Sequence, residues 1–303
     1  MELRHIRYFL SVADAKSFTY AAESLGIGQP PLSLQIRDLE NEIGTKLFHR
    51  VARGVELTAA GTAFYEDIRQ IPGLVEQATF SALLASRGEK GILKMGFTSS
   101  SIFNSVVTHS IKHFKIQYPD VVLQLEEAHT VELIKMVKNG SIDLAFVRAD
   151  RLKDDFLEMH LLMREPLSIV LPEKHPLSQE SKITLWHLEN EDLIVCPRDY
   201  SVQLYDTIIS LFNNFGYTPL IKQMAPQLSS IISLVGAGLG ISIIPSSMKV
   251  MNHSATGVVF CDFDNKGAYV PLTLISRLHE RSPTAMNFIN NAIATLEKYP
   301  PQY

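Results

Sequence analysis

Two adjacent prolines, Pro30 and Pro31, stand at the front of a segment whose apolar residues otherwise keep helical spacing: Leu32, Ile36, Leu39 and Ile43 recur at intervals of 4, 3 and 4. Inside a helix, proline removes a backbone hydrogen bond and its ring strikes the carbonyl four residues earlier. No helix can therefore run through this point. In the first turn the missing N–H costs nothing, because that donor has no helical partner. The prolines thus fix a helix start, and Gly26 just upstream fixes the end of the helix before it.

That constraint organises the first sixty residues. Leu3 to Asp14 carries an amphipathic pattern, with Leu3, Ile6, Phe9, Leu10 and Ala13 on one face. Ser17 caps a second helix through Leu25, where Ala21 and Ala22 are small enough for close crossing. Helix, short turn and helix with small residues at the crossing is the helix-turn-helix arrangement. Pro30 and Pro31 open its second helix, which shows Gln29, Ser33, Leu34 and Arg37 on the outer side. A solvated face is the plain reading of such residues; within this frame they are expected to meet base edges and phosphates.

The next stretch, KLFHRVARGVELTAAG, reads as a strand, a basic tip with Arg50 and Arg53 around Gly54, and a returning strand from Val55 to Leu57. This is a wing. Arg53 is expected at a phosphate or in a minor groove, and Arg50 either at DNA or paired with Glu42 or another nearby carboxylate. Thr58, at the boundary of this DNA-facing segment, caps a long helix. There Phe64, Ile68, Ile71, Val75, Ala78, Ala82 and Ala85 form a heptad seam suited to a partner helix.

The charge balance must be compatible with such a head. The 303-residue chain has a formal net charge of -4, yet residues 1–60 hold seven basic and seven acidic side chains. DNA binding would then rest on local placement of cations rather than bulk charge. At 46% hydrophobic and 20% charged residues, the chain has the composition of a folded globular protein. No signal peptide is written at the N-terminus, and the uncharged stretch 223–248 is broken by Pro226, Pro245 and three glycines. Two distant cysteines, Cys196 and Cys261, exclude a disulfide scaffold and fit a reducing, cytoplasmic setting.

Beyond residue 88 strands and helices alternate. Strands are expected at 91–97, 121–126, 142–147, from 165 to 171 and at 269–276. Helices are expected at 102–118, 130–139, 201–215, 228–237 and 284–299. Two small α/β lobes, with chain crossings near 162–166 and 266–269, would leave a cleft at the strand ends. No catalytic constellation emerges, so no enzyme is expected. There is no G-x-S-x-G elbow, and GAGLG at 236–240 precedes a strand instead of following one. His109 and His113 stand four apart on a helix, but Ser110 occupies the place where a zinc protease needs glutamate. No metal and no cofactor are expected.

The whole chain resembles the LysR-type transcriptional regulators. The likeness is carried by RYFLSVADAKSFTYAAESL (7–25), QPPLSLQIRDLENEIGTKLFHR (29–50), VELTAAG (55–61), GSIDLAFVR (140–148), HPL (175–177) and VGAGLGISIIP (235–245). The Pro-Pro version and the MELRHIRYF opening look most like the branch responding to benzoate, muconate and related acids. The resemblance implies an α+β multidomain chain. Residues 1–58 would form a winged helix-turn-helix and 59–88 a linker helix for dimerisation. Residues 89–303 would form a periplasmic-binding-protein-like regulatory domain, with lobe I at about 91–162 and 268–303 and lobe II at about 163–267. It also implies a homodimer or homotetramer on double-stranded promoter DNA, a small organic acid as co-inducer, a possible contact with RNA polymerase, and no membrane. The sequence departs from the family at Gly28, where Ser or Thr is frequent, at Leu34, often Arg, and at Pro72-Gly73, which should kink the linker near 68–73.

Within that frame Ser99, Ser100 and Ser101 are expected at a helix N-terminus facing the effector, with Thr130 opening the next helix in the same geometry. Pro197, Ser201 and Val202 would face them from the other lobe. Arg148 follows a buried strand and needs a partner, either a ligand carboxylate or an internal acid. The competing readings are a solute-binding or enzymatic α/β domain with an accessory helix-turn-helix, and a redox-sensing regulator using Cys196 and Cys261.

Overall fold

A computed structural model describes residues 1–52, 54–150, 154–180, 182–253 and 257–298. It divides into two compact units, residues 1–83 and 84–303.

The first unit begins with α1 (Leu3–Ala15), α2 (Phe18–Leu25) and α3 (Gln29–Ile43). Gly26 closes α2 at φ 68, and Gly44 closes α3 at φ 84, both in the left-handed region that glycine enters without strain. Pro30 and Pro31 lie in the first turn of α3 behind an extended Gly28. Phe9, Val12, Ala21, Leu32, Leu39 and Leu47 are fully buried between these helices. The Phe9 ring stands 5.0 Å from both Phe48 and Phe64. Strands β1 (Phe48–Val51) and β2 (Gly54–Leu57) pair antiparallel to form the wing. Arg53 lies outside the described residues.

Helix α4 (Ala59–Ile68) starts at Thr58, whose Oγ1 accepts the Gly61 N–H at 2.9 Å and donates to the Lys46 carbonyl at 2.7 Å. The expected single linker helix is broken. The chain turns at Arg69–Gln70 and resumes as α5 (Ile71–Ser86). Pro72 explains this: it cannot donate to the Ile68 carbonyl, and it is tolerated only in the opening turn of a new helix. The expected seam changes with it. Phe64, Ile68 and Ile71 pack into the head core. Helix α5 has no buried residue and leaves Leu74, Val75, Phe80 and Leu83 exposed.

In the second unit β3 (Gly91–Phe97), α6 (Ser105–Gln117), β4 (Val121–Glu127), α7 (Thr130–Lys138) and β5 (Leu144–Val147) alternate. The long strand β6 (Leu157–Pro172) follows, then the short β7 (Lys182–Ile183), β8 (Asp192–Val195), α8 (Val202–Asn214), β9 (Leu220–Met224) and α9 (Leu228–Gly236). Strands β10 (Ser242–Pro245), β11 (Val258–Phe263) and β12 (Tyr269–Arg277) precede the closing α10 (Pro283–Lys298). The uncharged stretch 223–248 thus becomes the end of β9, α9, β10 and a following 3-10 turn. Among the described residues no helix is long and apolar enough to cross a membrane.

Strand β6 runs 16 residues without interruption, where the sequence suggested a start near Glu165. Its first part, Leu157 to Pro166, pairs with β12, and its last part, Leu167 to Pro172, pairs with β10 and β11. Pro166 has no N–H to donate, but Leu167 N–H bonds to the Ala268 carbonyl at 2.9 Å and the strand continues. One sheet therefore serves both lobes. Phe114, Phe146 and Phe288 fill the core of one lobe, and Phe212, Ile231 and Ile244 that of the other.

The tightest packing constraint in the head is at Gly61, where an added Cβ would stand 2.0 Å from the Leu47 carbonyl oxygen. Backbone cannot yield there without moving α4 from the wing. Gly61→Ala is expected to destabilise the protein by about 2 kcal/mol or more, measured by thermal unfolding against Gly73→Ala, which has open space around it.

Candidate functional sites

The head gathers its polar outer residues into one groove. Gln29, Pro30, Ser33, Leu34, Arg37 and Arg50 all line a concavity of about 610 Å3, together with Lys46 just before the wing and His49 within it. Gln29 Nε2 donates to Ser33 Oγ at 2.9 Å, which holds both one turn apart on the exposed face of α3. Arg50 makes no ion pair among the described residues; Glu42 pairs instead with the amino terminus. Pro31 is exposed at the start of α3. The Thr58 hydroxyl is spent on capping α4, as above.

One residue the sequence did not point to holds this surface together. Glu40 is buried on the inner side of α3. Its carboxylate accepts Leu47 N–H at 3.0 Å and Phe48 N–H at 3.3 Å, and Lys46 Nζ lies 2.6 Å away. These bonds fix the wing strand to the recognition helix. A Glu eight residues before a wing strand, on the apolar side of a helix, is the signal that was legible.

The second site lies between the lobes of the second unit. A cavity of about 180 Å3 is lined by Ser99, Ile102, Phe103 and Glu127 from one lobe and by Gln227, Leu228, Ser229 and Met248 from the other. Only Ser99 belongs to the residues singled out from sequence. Helix α6 begins at Ser105, not at 102, because Asn104 is its cap: Asn104 Oδ1 accepts the Val106 N–H at 3.0 Å. The serines lie in the turn before it. Ser101 is fully buried, accepting Thr98 N–H at 3.0 Å, and Ser100 Oγ accepts Arg148 Nε at 3.4 Å. The expectation of three serines at a helix N-terminus is therefore corrected to one serine on the cavity wall.

Thr130 opens α7 as expected, but its Oγ1 accepts the Arg148 backbone N–H at 3.4 Å. Ser201 caps α8 without a side-chain bond, and Val202 is that helix's first residue. Pro197, Ser201 and Val202 do not line the Ser99 cavity; their loop reaches the opposite lobe through Tyr200. Its ring meets that of His129 edge to face at 4.5 Å between centroids. His129 is the residue before Thr130, so the starts of α7 and α8 face one another.

Arg148 has an internal partner. Its Nη1 lies 2.7 Å from Glu165 Oε2, with side-chain exposures of 4% and 0%. Glu165 also accepts Asn104 Nδ2 and the Ser247 backbone N–H, both at 2.7 Å. Of the two partners expected for Arg148, a ligand carboxylate or an internal acid, the structure shows the internal acid. Burial alone would raise the Glu165 carboxyl. The Arg148 guanidinium and the Ser247 hydrogen bonds outweigh it and hold the group below the usual carboxylate range. Both cysteines are buried. Burial pushes the Cys196 thiol up to about 11 and raises Cys261 as well, so neither is poised as a reactive thiolate.

Comparison with known proteins gives each of the two units a family match. Residues 3–62 match the bacterial regulatory helix-turn-helix model of the lysR family, and residues 86–296 match the LysR substrate binding domain. The chain is 40% identical over 290 residues to the uncharacterized HTH-type transcriptional regulator YnfL of Escherichia coli (strain K12), covering 95% of this chain and 96% of that one. It is 35% identical to the HTH-type transcriptional regulator CatR of Pseudomonas putida, over 93% of this chain and 95% of CatR. The crystal structure of full-length CbnR complexed with its target DNA superposes with a TM-score of 0.87 at 27% identity, covering 97% of this chain and 99% of that one.

Removing one partner of a buried pair strands the other. Arg148→Met is expected to cost about 3–5 kcal/mol in denaturant unfolding. Because the folded Glu165 pKa is depressed, its contribution is complete above the unfolded value of about 4.3 and is lost as pH falls through the lower folded value. In Arg148→Met burial is less opposed, so the folded Glu165 value rises toward or past the unfolded one, and the Glu165-dependent loss of stability on acidification should shrink or reverse, read from unfolding curves across the acid range.

Proposed function

The chain belongs to the LysR family of bacterial transcriptional regulators, and from that premise we propose that it binds promoter DNA through the α3–wing groove under control of a small carboxylic acid held between the lobes of its regulatory unit. The observation that carries the DNA reading is the convergence of Gln29, Ser33, Arg37 and Arg50 on one groove, with Glu40 fixing the wing beside the helix. Gln29 is suited to bidentate contact with adenine, and the two arginines to guanine or phosphate. Arg53 remains part of the proposed surface by its place in the sequence. The role is regulatory rather than catalytic, in the cytoplasm where the DNA is.

The effector reading rests on the Ser99 cavity, which has polar groups from both lobes and an apolar wall of Ile102, Phe103, Leu228 and Met248. Helix α9 starts at its edge with Gln227 as cap, so backbone N–H groups and a positive dipole end face the ligand. The resemblance to the branch responding to benzoate, muconate and related acids points to an aromatic acid or ring-cleavage product. An acid that fits one lobe angle better than another shifts the population and re-spaces the DNA-binding heads. Leu74, Val75, Phe80 and Leu83 are exposed around α5, apolar surface available to a second copy, so a homodimer, doubling to a tetramer, is part of the proposal.

Footprinting on the region upstream of the protein's own gene, with and without candidate acids, tests the whole reading. Gln29→Ala should relax sequence preference by about 1–3 kcal/mol of discrimination. Arg37→Ala should weaken binding to any sequence and reduce the salt slope by about one unit. Unchanged affinity and specificity in both variants would remove the groove as the recognition surface. Combining Ser99→Ala with Ser229→Ala should abolish the acid response while operator affinity stays as in the wild type. A normal response would place the effector elsewhere.

A further inference from the structure

Neighbouring residues on a strand point to opposite faces, and on β6 the neighbours Arg164 and Glu165 divide in this way. Glu165 is sealed between the lobes, whereas the Arg164 side chain is 48% exposed. On Arg164's side lies an open cavity of about 500 Å3, lined by Met163, Arg164, Pro166, Asn265, Ala268 and Tyr269. It is larger than the 180 Å3 cavity at Ser99 and within the range of small-molecule sites. A second hollow of about 270 Å3 adjoins it, sharing Gly267 and Tyr269 and adding Lys266, Asp150 and the α8 residues Gln203 and Asp206. Both segments that cross between the lobes, at 163–166 and 265–269, therefore form its wall.

The polar groups of this cavity are under-used. The Arg164 guanidinium lies over the Tyr269 ring, 5.4 Å from its centroid, and makes no hydrogen bond among the described residues. Its acid neighbour is Asp150 at 3.7 Å, beyond hydrogen-bond length and partly exposed. Asp206, the other acid here, is engaged by Arg198 at 2.7 and 2.9 Å. Asn265 Nδ2 is buried without a hydrogen-bond partner. A cation laid on an aromatic ring, an unpaired amide donor, and the apolar groups of Pro166 and Ala268 together suit an anion with a flat apolar body.

We propose that this reverse-face cavity is a second ligand site for small aromatic carboxylates, distinct from the cavity at Ser99. Arg164 takes the carboxylate through its two-pronged N–H edge, Asn265 adds a donor, and the ring packs on Pro166 and Ala268. An occupant touches both lobe crossings, so its affinity depends on lobe angle, and by linkage it biases that angle in return. The site uses no residue of the Ser99 cavity and stands or falls apart from it.

The probe is 4-fluorobenzoate, titrated into the full-length protein and followed by fluorine NMR. In the Ser99→Ala/Ser229→Ala protein, binding at the reverse face should persist at millimolar concentration or below. Adding Arg164→Met should weaken it about tenfold or more, the loss of a charge-assisted hydrogen bond, with melting temperature and operator affinity unchanged. Arg164→Lys, which keeps the charge and loses the fork, should fall between; if Arg164→Met unfolds early, Arg164→Lys decides by the same measurement. Equal affinity with and without the arginine overturns the site. So does absence of binding in the Ser99→Ala/Ser229→Ala protein. A normal acid response in that double variant, by contrast, counts against the Ser99 cavity alone.

Discussion

The second unit depends on one buried carboxylate. Glu165 takes donors from three places: Arg148 after β5, Asn104 at the cap of α6, and the Ser247 N–H after β10. The first two belong to one lobe and the third to the other. Leaving water costs a carboxylate several kcal/mol, and only this set of donors offsets that cost. Lobe angle and the position of the α6 cap are consequently linked through a single residue. Because Asn104 sets where α6 begins, Glu165 also governs the turn carrying Ser99.

A similar economy operates in the head with different chemistry. The recognition helix gets its direction from two prolines and two glycines, which are backbone constraints, while its relation to the wing comes from Glu40. That carboxylate bonds the N–H groups of Leu47 and Phe48 at the point where the chain leaves the helical layer. Gly61 then lets α4 rest against the Leu47 carbonyl. Helix, wing and linker thus share one small junction beside the groove of α3. The break at Arg69–Gln70 sits immediately beyond this junction, so the exposed apolar residues of α5 belong to a separate helix.

The continuity of β6 gives the regulatory unit two chemically different sides at its crossing. The cleft side is sealed by a buried ion pair, and its cavity is small. The reverse side holds a half-exposed arginine on a tyrosine ring and a wider hollow. An occupant on either face that prefers one lobe angle would shift the population toward it.

The sequence by itself determined the elements and their order. Proline and glycine act through the local backbone, and apolar periodicity reports which face is buried, so α1 to α3, the wing and the alternation of strands and helices were legible from residue types. So was the family, from motifs spread over the chain. What only the tertiary structure decided was partnership. Arg148 announced that it needed an acid, but the acid lies 17 positions away on a crossing strand. The serine run promised a helix N-terminus, yet Asn104 won the cap because Glu165 holds its amide, and the serines turned inward to backbone groups and Arg148. Gln227, Ser229 and Met248 reached the cavity only when the second lobe folded over the first. Local rules fix conformation within a few residues, whereas a site between lobes is built from side chains whose proximity no spacing records.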